Sequence, residues 1–181
     1  MRRVKMSVGA APLREQRTWA YPNGEKLGQF LIPVYDCFVE GTDDDGTAVR
    51  ERFDVLRFGV HCPDGKSAGV VGLANQQTHT IKAWLPHYRV HSARSPENGA
   101  WQVYKNFLIH DGPDDASELF ATIGCVEVMG PQGFVKFNDL LISLSGCSSE
   151  TRDQQLDEIG RAGSMSIMYA RAPRPALKKA R

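Results

Sequence analysis

The sequence predicts a mainly β protein with minor α content, folded as one sandwich or barrel-like domain with a short helix near the C-terminus. Three observations carry this. The chain has 181 residues with 41% hydrophobic side chains and a mean hydropathy of −0.36, enough to bury one core and too polar for an integral membrane protein. Short runs of β-forming residues recur, separated by Gly, Pro, Asn and Asp, rather than alternating with long helical patterns. One segment alone carries a full helix-start signal.

In chain order, residues 1–26 mix Pro, Gly and charge and are expected to form an N-terminal arm. Residues 30–39 are rich in β-formers. Residues 49–60 follow, with Val49, Glu51, Phe53 and Val55 alternating against Arg50, Arg52 and Asp54. Asp45-Gly46 between the two runs predicts a hairpin. Asp43, Asp44 and Asp45 are adjacent rather than alternate and lack a distant bidentate Glu, so they read as a solvated turn and not a calcium loop. Pro63-Asp64-Gly65-Lys66 is a further turn, and short β-runs are expected at 69–73, 78–85, 88–91 and 101–110. Residues 137–144 are apolar and suit a short helix. Thr151 with Gln154 offers a capping box ahead of Leu156 and Ile159, and Gly160 and Gly163 follow. Residues 164–170 suit a last strand and 171–181 a loose basic tail, which leaves 27–170 as the β-rich body.

The formal net charge of +1 conceals an uneven distribution. Residues 1–20 carry +4, residues 161–181 carry +6, and the stretch between them carries −9. An acidic body argues against a nucleic-acid enzyme, because phosphate contacts need clustered Lys and Arg. Met1-Arg2-Arg3-Val4-Lys5 looks like the basic start of a signal peptide, but the apolar stretch at 8–13 is too short. Synthesis in the bacterial cytoplasm without a signal peptide is the expectation, from Met1 or from Met6. No stretch approaches the roughly 18 apolar residues of a transmembrane segment. Cys37, Cys62, Cys125 and Cys147 form no CxxC pair. Three of them read as buried thiols.

Cys125 stands apart. In residues 107–130 a β-run delivers His110 to its end, followed by Asp111-Gly112-Pro113. After a loop, Thr122-Ile123-Gly124-Cys125 opens a second β-run, Val126-Glu127-Val128. Strand ends lying side by side would bring His110 within reach of Cys125. An imidazole can take the thiol proton and hold a thiolate, a nucleophile suited to acyl transfer. Gly124, lacking a Cβ, would let the backbone approach a substrate carbonyl, with the N–H groups of Ile123, Gly124 and Cys125 as an oxyanion hole. A backbone carbonyl just after His110, or a nearby polar group, would fix the imidazole tautomer.

His110, Gly112, Thr122, Gly124 and Cys125, in the order His before Cys and with a Val-x-Val strand leaving, resemble the catalytic motif of the L,D-transpeptidase (YkuD-like) family. The resemblance covers about 25 residues closely and the preceding β-rich region loosely. Three features depart from it: Ile123 stands where the family usually has His, Glu127 where it usually has Arg, and the spacing of 15 positions from His110 to Cys125 is short. The resemblance implies an L,D-transpeptidase-type fold with Cys125 and His110 as catalytic residues. Asp111, Gly112 and Thr122 would be orienting or motif positions. It also implies a peptidoglycan stem peptide as substrate, no cofactor and no metal. The reaction would be transpeptidation or L,D-carboxypeptidation. Divergent relatives are toxins exported by type VI secretion systems. That implies an antibacterial effector acting in a target-cell periplasm, with a cognate immunity protein and a secretion carrier as partners.

Two other readings stand beside it: a non-catalytic β-rich binding or adaptor module of a phage or secretion system, and a cysteine peptidase or amidase acting on another peptide bond. His79, His87 and His91 lack zinc spacing and a Cys partner. Trp84, Tyr88, Trp101 and Tyr104 are expected in the core or a cleft wall. Asp114, Asp115 and Glu118 are expected on a solvated loop, where they could meet the amine of a diamino acid.

Overall fold

Val4, Met6 and Val8 alternate with Lys5 and Ser7, a period of two that buries one side of an extended strand. In the computed structural model, which describes residues 1–22, 24–89, 98–118, 120–121 and 123–181, this pattern forms β1 (Val4–Val8), with Val4, Met6 and Val8 buried. The expected arm over 1–26 is thereby corrected. β1 pairs in parallel with β13 (Met165–Tyr169) and antiparallel with β3 (Gln29–Thr42). β2 (Arg14–Tyr21) also pairs with β3. Lys5 and Arg17 are the outward positions of strands whose alternate residues are buried, and Arg14 is exposed at the start of β2.

A short helix α1 (Gly24–Leu27) joins β2 to β3. The hairpin expected at Asp45-Gly46 forms: β3 pairs antiparallel with β4 (Ala48–Leu56) from Val34↔Leu56 to Thr42↔Ala48. The turn holds itself, since Asp43 Oδ1 accepts from the amides of Asp45 and Thr47 at 3.0 and 2.8 Å. Next come β5 (Phe58–His61), β6 (Gly69–Gly72), β7 (Gln77–Ile81), β8 (Ala83–Leu85), β9 (Ala100–Tyr104), β10 (Phe107–Asp111), β11 (Phe120–Ala121) and β12 (Val126–Val128). The helices α2 (Gly133–Ser145) and α3 (Arg152–Ala162) precede β13. At 88–91 no strand is seen among the described residues. Tyr88 lies in a turn, and His91 lies outside the described residues.

The pairings close a ring. β1, β3, β4, β12, β10 and β9 are neighbours in that order, and β9 pairs with β8. Only Lys82 separates β8 from β7. β7 pairs with β13, which returns to β1. Inside lies the largest apolar cluster: Val4 and Met6 from β1, Tyr35 and Val39 from β3, Ile109, Val126 and Val128, and Met165 and Ile167. Phe134, Phe137, Leu141 and Leu144 from α2 and Leu156 and Ile159 from α3 complete it. Trp101 sits in this core and donates from Nε1 to Asn138 Oδ1 of α2 at 2.8 Å. The capping box read from the sequence is present, with Thr151 accepting from the Gln154 amide and the Gln154 side chain reaching back.

Outside the ring lies a second layer. β2 ends by pairing in parallel with β5, and β5 pairs antiparallel with β6. Ala20, Phe30, Ile32, Val34, Leu56, Val60, Cys62 and Met129 form an apolar cluster between this layer and the ring. The expected loose tail is also corrected. Ala172 is buried and its amide donates to Ala74 O at 2.9 Å, and β14 (Lys178–Lys179) pairs with Leu31 and Phe30 of β3. A lysine pair can join an edge because strand pairing uses the backbone, while Lys178 Nζ reaches Glu15 at 2.9 Å. No helix among the described residues is long and apolar enough to cross a membrane.

Candidate active site

β10 and β12 run parallel, with Ile109↔Val126, His110↔Glu127 and Asp111↔Val128 in register. Side chains alternate along a strand, so adjacent residues of this pair divide between two faces. Ile109, Val126 and Val128 point into the ring. His110 and Glu127 share the outer face, and Cys125, two residues before Glu127, falls on it as well. This face is buried rather than exposed: His110 is 5%, Cys125 4% and Glu127 1% exposed. Leu56 flanks Glu127 from β4, and Ala100, Leu108, Leu85 and Tyr88 pack around Cys125.

His110 Nδ1 lies 2.8 Å from the carbonyl oxygen of Asp111. A carbonyl oxygen only accepts, so Nδ1 carries the proton and Nε2 is left as the basic nitrogen. This is the carbonyl directly after His110 that the sequence offered for the role. Nε2 faces Glu127 Oε1 at 3.9 Å. Tyr88 lies across the imidazole, ring centroids 5.5 Å apart and tilted by 37°.

The Cys125 thiol points to the start of β10, donating toward Asn106 O at 3.8 Å. Burial pushes its pKa up to about 12. The Leu108 backbone, bonding to the sulfur, pulls it down, and the Glu127 charge raises it further. In this conformation the sulfur is a thiol and not a thiolate. The structure therefore places His110 and Cys125 on one face of adjacent strands, with the thiol proton directed at a carbonyl.

The remaining motif residues divide. Gly124 adopts φ +96°, and a Cβ there would lie 2.7 Å from Gly72 Cα and 2.9 Å from Val71 O. Its missing side chain accommodates the backbone of β6, not a substrate carbonyl, which corrects the space expected there. Gly112 is similarly close to β12: a Cβ would meet Glu127 Cβ at 2.9 Å, and its amide donates to Val128 O at 2.9 Å. Asp111 serves His110 through its carbonyl. Its side chain, 3% exposed, alternates to the opposite face. Ile123 is exposed, and Thr122 lies outside the described residues.

In the sequence Glu127 stands out as a departure from the motif. The signal was present: a carboxylate in the middle of an otherwise apolar run, Val126-Glu127-Val128-Met129. Tyr88 had no such signal, because its place over His110 is set by tertiary packing. In the loop at 114–118 Asp115 is exposed, as a solvated loop requires, while Glu118 Oε2 accepts from the Asp114 amide at 2.7 Å and Asp115 Oδ1 from the Ser117 amide at 2.7 Å. Gln16 ties that loop to β2 through the carbonyls of Asp115 and Glu118. His79 stacks on Tyr104 at 4.7 Å and His87 is exposed. Among the described residues no His, Cys, Asp and Glu cluster could hold a metal ion, and none of the four cysteines is in a disulfide. No family model, curated protein or solved structure matches this chain.

Proposed function

We propose that this protein is a cysteine acyl-transfer enzyme of L,D-transpeptidase type, acting on peptidoglycan stem peptides. The observation that supports the reading is the parallel β10–β12 register, which sets an imidazole anchored at Nδ1 by a carbonyl beside a strand that opens on Cys125. The thiol proton passes to His110 Nε2, and the sulfur attacks the carbonyl that joins the diamino acid to terminal D-alanine. The C–S bond forms, the C–N bond breaks, and His110 returns the proton to the leaving amine of D-alanine. An incoming amine or water then releases the acyl group as cross-link or shortened peptide. Because the thiol is 4% exposed, substrate entry must first part the packing around Leu85 and Tyr88.

Purified protein incubated with muropeptides should release D-alanine or form new cross-links by mass spectrometry, and Cys125→Ala and His110→Ala should not. Identical profiles for wild type and Cys125→Ala would end the enzymatic reading. The delivery half of the proposal is an antibacterial effector made in the bacterial cytoplasm and acting in a target periplasm, opposed by an immunity protein. Its test is directed expression: toxicity should follow periplasmic targeting and disappear with Cys125→Ala.

One observation favours a second reading, a β-rich binding module with an inert core cysteine. A thiol raised to about 12 by burial is what such a cysteine shows. Iodoacetamide separates the two. A catalytic Cys125 is alkylated by the reagent in the native protein, more slowly when substrate occupies the sulfur and not at all in His110→Ala, whereas an inert one needs denaturant throughout.

A further inference from the structure

We infer that Glu127 is a positioning residue of this site, holding on His110 the proton taken from Cys125; the inference rests on the acyl-transfer reading above. Three observations carry it. The first is cost: a carboxylate that is 1% exposed has left water, which is unfavourable unless something near it carries or acquires positive charge. The second is context. Val126 and Val128 on the same short strand, and Leu56 opposite on β4, show what this sheet accepts where packing alone decides. Glu is a poor strand former at such a place.

The third is direction. Asp111 O occupies Nδ1, so the proton transferred from sulfur can reside only on Nε2, the nitrogen that faces Glu127 Oε1 at 3.9 Å. The imidazolium so formed would stand between a carbonyl on one side and a carboxylate on the other. Gly112 supports the arrangement, because its missing Cβ lets β10 and the Glu127 backbone close to contact. Among the described residues, the titratable groups set against this carboxylate include His110 from β10, Cys125 from the entry to β12 and Tyr88 from the segment after β8. The imidazole is thus a basic group set directly against this carboxylate, at 3.9 Å. The transfer balances within the pair: the S–H bond breaks, the Nε2–H bond forms, and the same proton later leaves on D-alanine.

The test compares wild type, Glu127→Gln and Glu127→Asp for muropeptide turnover across pH and for NMR titration of the His110 ring. Glu127→Gln is isosteric and removes only the charge. It should lower kcat by about 100-fold with KM little changed. It should also move both the pH profile and the ring titration at least about one unit toward acid, since a lost negative charge lowers neighbouring proton affinities. Glu127→Asp, keeping the charge, should retain the wild-type profile position at reduced rate. It also serves as the folded reference if Glu127→Gln melts early. Loss of turnover with no displacement of the profile or of the ring titration would overturn the inference and leave Glu127 a packing residue. Wild-type turnover equal to Cys125→Ala would instead defeat the underlying reading, while the ring titration still reports whether Glu127 and His110 are coupled.

Discussion

Replacing Gly124 by Ala tests how the loop before Cys125 is held. Two costs add. At φ +96° an L side chain is strained by about 1 kcal/mol or more. The new Cβ would also stand 2.7 Å from Gly72 Cα, where ordinary contact begins near 3.4 Å, so one backbone must yield by about 0.7 Å. Neither partner is a flexible side chain. Forced overpacking of this kind costs about 2 kcal/mol, for a total of about 3 kcal/mol. In a domain of this size that lowers Tm by roughly 6–12 °C. Gly46→Ala is the internal control: φ is +81°, nothing lies within 4 Å of its Cβ position, and only the strain applies, roughly 2–4 °C. Thermal melts by circular dichroism, with urea titrations for the free energies, read both. If Gly124→Ala melts within about 2 °C of Gly46→Ala, the β6 backbone does not pin this loop, and the room beside Cys125 belongs to a substrate after all.

Other consequences follow from burial and pairing. Cys37 and Cys125 are both pushed up to about 12 by burial, so their unfolded forms ionise first. The stability they contribute is complete below about pH 9 and is lost between there and about pH 12. Urea titrations at pH 8 and pH 10 should differ by about 3 kcal/mol from these two thiols, and Cys37→Ala should remove half of that slope. Thr151→Ala removes the side-chain half of the α3 capping box and should cost about 1 kcal/mol in the same titration. Deleting residues 1–9 should abolish cooperative unfolding, because β1 is a wall of the ring and not an arm; a cooperative melt from that variant would refute the assignment.

The sequence made local structure legible wherever the cause is local. The Asp45-Gly46 hairpin, the Thr151 capping box and the last strand near 164–170 each depend on a few adjacent residues, and each is where it was expected. In the N- and C-terminal segments the high charge density masks the strands. Val4, Met6 and Val8 already carried the strand signal, and Lys5 does not cancel it. At the candidate site, His110 and the carbonyl after it were readable from a strand ending in His-Asp-Gly. The Gly124 contact with β6 was not, since the two are 52 positions apart and meet only when the second layer folds over the ring. The raised Cys125 thiol belongs with it, because burial is a property of the whole packing and no local motif encodes it.

The parallel pairing of residues 4–8 with 165–169 sets an order of events. β1 must wait for β13, so it stays without that partner until residues 165–169 have been made. Closure is accordingly the latest and most non-local step, of the kind that folds in milliseconds to seconds rather than microseconds. A nascent or unwound chain therefore keeps this ring open until β1 and β13 meet, and holding those two strands apart would keep it from closing.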